Sequence, residues 1–392
     1  MIVCPMALLM DACARAFYAS RLTMTTIPFD DIRAWLFEAA LPLWAEKGVD
    51  PAGGFYEALD FEGRPVEPGF RRTRVVARQT YVFAHAGRLG WAPGVEISEK
   101  GAAHLDALYL GPDRGWPRTN KDDTPDLYDL AFTLFAYAWR HRIAPDEGSM
   151  QGMHRVLDFL EAHMCPDEGF HPALPPGDRQ LQNPHMHLLE ACLAAFEASG
   201  DERFSDTAND LMFLFGERLF KRGVLTEYFT PDWKRAPGEE GRIVEPGHHF
   251  EWAWLIKECG RLIEYDAAAP AKALIDFAER HGVSPSGAVR QSVRDDGAIL
   301  DGSSRIWSNT ERIKAHLALF ELTGADARAP VAASANLLLD RCLSTDVPGL
   351  WIDHFDAEGK PLSKNVPASS FYHIFLAFAE LLRLEPRLRA LG

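Results

Sequence analysis

Apolar residues recur at i, i+3, i+4 and i+7, the spacing of amphipathic helices, in segments at about 30–46, 71–89, 95–109, 125–142, 147–163, 182–199, 203–220, 247–264, 269–281, 307–323, 327–343 and 368–384. These segments fall into pairs. Between the members of each pair lies a short glycine-led stretch, often aromatic or β-branched: Gly54-Phe55-Tyr56, Gly115-Trp116, Gly169-Phe170, Gly223-Val224-Leu225, Gly287-Ala288-Val289 and Gly349-Leu350-Trp351. Successive glycines are 61, 54, 54, 64 and 62 residues apart, a period that means one repeated supersecondary unit. Six helical hairpins predict an all-α fold, a closed (α/α)6 barrel with an inner and an outer ring of helices and short β segments at one end. An open superhelix of helix pairs is the competing arrangement. Closure is favoured because the terminal pairs are no more polar than the middle ones, and no linker or charge block divides the chain. The expected organisation is an N-terminal extension over residues 1–27 and one barrel domain over 28–392. The extension has an apolar patch, Met6–Met10, without the basic start of a secretory signal.

The polar residues that interrupt the apolar faces are unevenly distributed. In Glu245-Pro246-Gly247-His248-His249-Phe250-Glu251-Trp252-Ala253-Trp254-Leu255, Pro and Gly mark a turn into a helix. His248 and Glu251 then share a first-turn face beside the positive end of the helix dipole. Such a pair can work as an oriented acid and base; a capping His with a first-turn Glu gives the same pattern. The spacing recurs in His187-Leu188-Leu189-Glu190, where Asn183, His187 and Glu190 form one stripe. A buried stripe of that kind is hydrogen-bonded or used. Arg78, two turns into its segment, can stabilise an oxyanion. Tyr128, Trp307, Glu311 and Phe371 mix aromatic faces with acceptors as sugar sites do, although aromatics at helical spacing also serve as core. His373 opens the last helix, where it would be a second proton carrier opposite His248. Arg78, Asn183, His187, Glu190, His248, Glu251, Trp307, Glu311 and His373 all lie on second members of pairs. If those helices form the inner ring, the side chains converge at one mouth.

Composition narrows the chemistry. A formal charge of −15 argues against a nucleic-acid partner, and no apolar run reaches the roughly 18 residues that span a bilayer. Six cysteines lie far apart with no CxxC pair, which argues against a disulfide framework or zinc site and predicts a reducing, cytoplasmic compartment. Three His and two Glu would suffice for a divalent ion. Each His, however, has a Glu or Asn on its own helix face that suits an orienting partner, so the expectation is no metal and no cofactor.

Five motifs in order, Arg-Gln-x-Tyr-x-Phe (Arg78 to Phe83), Asn-Pro-His-Met-His-Leu (Asn183 to Leu188), Pro-Gly-His-His-Phe-Glu-Trp-Ala-Trp (Pro246 to Trp254), Trp-x-x-Thr-Glu-Arg (Trp307 to Arg312) and Phe-Tyr-His-Ile-Phe (Phe371 to Phe375), resemble the N-acylglucosamine 2-epimerase superfamily. The wording of the third and fifth is most similar to its D-mannose isomerase branch. The resemblance implies an (α/α)6 barrel and metal-free aldose–ketose isomerisation or 2-epimerisation. It carries site roles onto Arg78, Asn183, His187, His248, Glu251, Trp307, Glu311 and His373. The cellobiose-directed members place a Trp before the last His; here that stretch is Pro367-Ala368-Ser369-Ser370, which favours a monosaccharide partner. The expected reaction is mannose to fructose through a cis-enediolate. His373 is the base, His248 oriented by Glu251 handles ring opening and the O1/O2 protons, and Arg78 and His187 stabilise the enediolate. The alternatives are an N-acylglucosamine 2-epimerase, a sulfoquinovose isomerase, an inverting glycosidase using Glu251 and Glu311, or a sugar-binding protein without turnover. A sulfonated or phosphorylated sugar would want a second cation at the mouth, for which Arg242 is the candidate. Monomer and homodimer both remain open.

Overall fold

The computed structural model describes residues 26–391, so the expected extension lies almost wholly outside the described residues. Among the described residues twelve long helices follow in order: α1 (29–48), α2 (Thr73–Arg88), α3 (Pro93–Leu108), α4 (Leu127–Ile143), α5 (147–164), α6 (Gln182–Ser199), α7 (202–219), α8 (Pro246–Leu262), α9 (268–282), α10 (Ile306–Thr323), α11 (328–342) and α12 (Phe371–Arg389). The even-numbered helices pack each on the next, and α12 packs back on α2, so the inner ring is closed. The odd-numbered helices lie outside them. Burial separates the two rings: α2 is buried at every position from Val75 to Ala86, whereas α3 buries only Gly94, Ser98, Gly101 and Leu105, one stripe of an amphipathic surface helix.

The β segments form a second cyclic pattern. The residue entering each inner helix pairs with the hairpin of the following repeat: Arg72 with Thr119, Asp126 with Ala173, Leu181 with Tyr228, Val244 with Val293 and Arg305 with His354. The last, Pro367, pairs with Ala58 of the first repeat and completes the circle. All six repeat glycines have positive φ: 75° at Gly54, 60° at Gly115, 68° at Gly169, 81° at Gly223, 85° at Gly287 and 94° at Gly349. That backbone region explains why glycine recurs there. At Gly349 a Cβ would also lie 2.8 Å from the Ala39 backbone.

The seam between the last and first repeats is sealed by aromatic packing. Trp44 stacks on Trp351 at 4.8 Å, its Nε1 donates to the Gly349 carbonyl at 3.2 Å, and Phe371 packs against both rings. The last helix departs most from the sequence reading. It starts after a 3-10 turn at Ala368–Ser370 and runs to Arg389 through Pro386, because Leu384 and Leu388 are buried and dock the extra turn. Among the described residues no helix is long and apolar enough to cross a membrane.

Candidate active site

The first turns of the inner helices surround a cavity of about 240 Å³ at the β-segment end of the barrel. Arg78 comes from α2, Tyr128 from α4, Asn183 and His187 from α6, His248 and Glu251 from α8, Trp307 from α10 and His373 from α12. Every inner helix contributes at least one of these walls, so the convergence at one mouth is a direct consequence of ring closure. The Trp307 ring lies between the two imidazoles, 5.0 Å from His248 and 5.6 Å from His373, and His187 is 6.5 Å from His373.

Four residues expected at the site do not line this cavity. Glu190 stands behind His187, 3.2 Å from its Nδ1, and also accepts from the Tyr372 hydroxyl at 2.5 Å. Glu311, fully buried, stands behind His373 and accepts from its Nδ1 at 2.8 Å. Phe371 belongs to the Trp44–Trp351 core, because the 3-10 turn rotates the start of α12. Arg242 is committed to Asp295 at 2.9 Å and Asp296 at 2.6 Å and supplies no free charge at the mouth.

The orientation of His248 also differs from the expectation. Its Nδ1 donates to Glu227 Oε2 at 2.9 Å, not to Glu251. Glu227 is buried on the hairpin before α8, and Gln182 Nε2 donates to it at 2.7 Å, held in turn by Trp252. Glu251 is left with both carboxylate oxygens buried and without partners, as are Asn183 Oδ1 and Arg78 Nε. A hydroxyl-rich ligand in this cavity would give such groups the hydrogen bonds that burial otherwise makes costly to lose. The remaining Arg78 nitrogens are fixed, one 2.5 Å from the Tyr128 hydroxyl and one 3.1 Å from the Ser369 carbonyl. Glu245, Gln291, Arg305, Ser369 and Ser370 complete the wall and were not singled out from the sequence. Arg305 is bound to Asp353, which also accepts from the Ser370 hydroxyl.

The two imidazoles facing the cavity titrate in opposite directions. Burial opposes charge on His248, but Glu227, Glu245 and Glu251 outweigh it and push the group up to about 10. Burial holds His373 well below the ordinary histidine range, helped by the positive charges of Arg78 and Lys314. At neutral pH one ring is therefore an imidazolium and the other a neutral base, with Nδ1 of each engaged and Nε2 left for a substrate. Among the described residues three His/Glu groupings bring ligand atoms within 4.8 Å of one another: His187, Glu190 and Glu251; Glu227, Glu245 and His248; Glu251, Glu311 and His373. In each, a histidine Nδ1 is already bonded to a carboxylate.

A larger cavity, about 400 Å³, opens at the opposite end of the ring. Beside Arg88, its cations Arg142, Lys257, Arg261 and Arg383 pair with Glu197, Glu258, Glu321 and Glu380. That collar is largely ion-paired and presents one histidine, His85, rather than a pair.

The model of the N-acylglucosamine 2-epimerase family matches residues 54–377. A mannose-6-phosphate isomerase of Rhizobium meliloti is 38% identical over 373 residues, covering 90% of this chain and 96% of that protein. A D-mannose isomerase of Marinomonas mediterranea is 25% identical, covering 70% and 76%. Among solved structures, a D-mannose isomerase superimposes with a TM-score of 0.83 at 22% identity, covering 92% of this chain and 99% of that one.

Proposed function

The chain belongs to the N-acylglucosamine 2-epimerase family and is a sugar isomerase or epimerase, and from that premise we propose that it interconverts free D-mannose and D-fructose by proton transfer through a cis-enediolate. The observation that carries this reading is the placing of His248 and His373 in one cavity, Nδ1 of each held by a buried carboxylate, with surroundings that push their proton affinities in opposite directions. Groups whose surroundings drive their proton affinities apart divide into acid and base. His373 Nε2 removes the proton from C2 of the open-chain sugar and, with its ring hydrogen exchanging with solvent, delivers a proton to C1. The His248 imidazolium gives a proton to the ring oxygen on opening and then exchanges protons with O1 and O2. Overall one hydrogen leaves C2 and one joins C1, and one leaves O2 and one joins O1, so no oxidant is needed. Arg78 and His187 stabilise the enediolate oxygens, while Asn183, Glu251, Tyr128 and Trp307 hold the hydroxyls and the ring face.

The cavity is smaller than the roughly 300–1,000 Å³ of drug-sized sites, and Ser369 and Ser370 offer no second aromatic platform, so a single sugar ring suits it. Against a phosphorylated substrate stand two wall carboxylates, Glu245 and Glu251, and the commitment of Arg305 to Asp353 and of Arg242 to Asp295 and Asp296. The experiment is a panel of mannose, mannose 6-phosphate, glucose and N-acetylglucosamine assayed with chelator present, with the product identified by NMR. Fructose from mannose supports the proposal. Glucose from mannose, or turnover of N-acetylglucosamine alone, replaces it with 2-epimerisation.

A further inference from the structure

Behind the proposed base lies a lysine that none of the motifs contains. Lys314 is wholly buried, one turn along α10 from Glu311, and its Nζ is 2.6 Å from Glu311 Oε2. The other oxygen of the same carboxylate takes the Nδ1 hydrogen of His373 at 2.8 Å. The face of Trp254 closes over the ammonium at 4.1 Å, so the charge sits against aromatic and carboxylate groups. A buried ammonium of this kind is costly unless it compensates something. What it compensates is close at hand: burial, then the Glu251 and Glu190 carboxylates, hold the Glu311 carboxyl well above the ordinary carboxylate range, and Lys314 is the cation that opposes them.

We propose that Lys314 is a positioning residue for proton transfer by His373, acting through Glu311. The ammonium in contact with Oε2 draws Glu311 toward its anion, an anion can only accept a hydrogen bond, and the His373 ring bonded to Oε1 then carries its hydrogen on Nδ1. Its Nε2 lone pair is left bare toward the cavity. Without the lysine, Glu311 takes up a proton, its O–H donates to Nδ1, and the histidine hydrogen moves to Nε2, where the ring has no lone pair for the C2 proton. The charged and titratable groups around this pair come from every inner helix. They are Arg78 on α2, Tyr128 on α4, His187 and Glu190 on α6, Glu251 on α8 and Tyr372 on α12, with Arg305 at the rim. Among them Lys314 is the cation in contact with Glu311. The inference rests on the assignment of His373 as the base.

The experiment compares Lys314→Met, Glu311→Gln and the double variant by kcat, KM and pH profile, and by ¹⁵N NMR of the His373 ring in enzyme without sugar. Lys314→Met is expected to lower kcat at neutral pH by about 10²-fold or more with KM little changed, as for other active-site bases held in the wrong tautomer. Its activity should return as pH rises and Glu311 ionises, and its His373 spectrum should show the hydrogen on Nε2. The double variant should be no slower than Glu311→Gln alone. Wild-type kcat and pH profile in Lys314→Met, or a further large loss on adding it to Glu311→Gln, overturns the proposal. If Lys314→Met does not fold, the comparison of Glu311→Gln with the double variant decides. The NMR comparison needs no turnover, so an enzyme that acts on no sugar of the panel defeats the proposed reaction while leaving the Lys314–Glu311–His373 relation open to measurement.

Discussion

Glu227→Gln probes the acid half of the site. In the folded protein His248 rises from 6.5 to about 10, which corresponds to about 5 kcal/mol in favour of its charged form after the opposing cost of burial. Three carboxylates produce that rise, and Glu227, in direct contact at 2.9 Å, leads them. With the burial cost unchanged and Glu227 the leading contributor, the loss on removing it is on the order of 2 kcal/mol or more. The His248 imidazolium should then give up its proton near pH 8 rather than near 10. In a kcat profile taken between about pH 6 and 10, the wild type should hold its rate into the alkaline range while the variant falls off from about pH 8. The linkage has a matching sign in stability. A histidine raised in the folded state stabilises fully below its unfolded value of 6.5, and the contribution is lost as pH rises through about 10. The melting temperatures of wild type and variant should therefore differ at pH 6 and converge above pH 10. An unshifted alkaline limb in the variant refutes the assignment of Glu227 as the group that charges His248.

Further outcomes follow from the same geometry. His373→Gln should cut kcat by about 10²–10⁴-fold with an unchanged melting temperature, read by steady-state kinetics beside calorimetry. Phe371→Ala, which empties a wholly buried place beside Trp44 and Trp351, should cost about 3–5 kcal/mol in denaturant unfolding while leaving the KM of the surviving folded enzyme near the wild type. Arg242→Ala should leave KM for the sugar unchanged and the melting temperature near the wild type, since its solvent-screened partners Asp295 and Asp296 lie outside the cavity. Exhaustive chelation should leave turnover unaffected, because Lys314 and Arg78 already supply positive charge beside these carboxylates and Nδ1 of each clustered imidazole is in use.

Most of the barrel was legible because two independent periods agree: the helical repeat of apolar residues, and the glycines whose positive φ turns each hairpin. Ring closure then turned a linear observation, polar residues on second helices, into a spatial one. What escaped the reading lies where helix-face logic does not apply. Glu227 sits on a hairpin, and no i, i+3 rule connects it to His248. A comparison of repeats could have found it. Glu57, Glu227 and Asp353 each follow a repeat glycine by three or four residues, and each reaches the entrance of an inner helix, at Arg72, His248 and Arg305. Lys314 was visible as Glu311 plus three, but a lysine within a helix reads as a solvated charge until its burial is known. Phe371 and Arg242 failed for the opposite reason: aromatic and cationic side chains near a motif have core and ion-pair uses that sequence spacing does not separate from ligand binding.

The most direct measurement is ¹H NMR of D-mannose turned over in D₂O. Proton transfer through His373, whose ring hydrogens exchange with solvent, predicts fructose carrying deuterium at C1 and nowhere else, formed about 10²–10⁴-fold more slowly by His373→Gln. Fructose that retains all its carbon-bound hydrogen, or glucose deuterated at C2 as the sole product, contradicts the account.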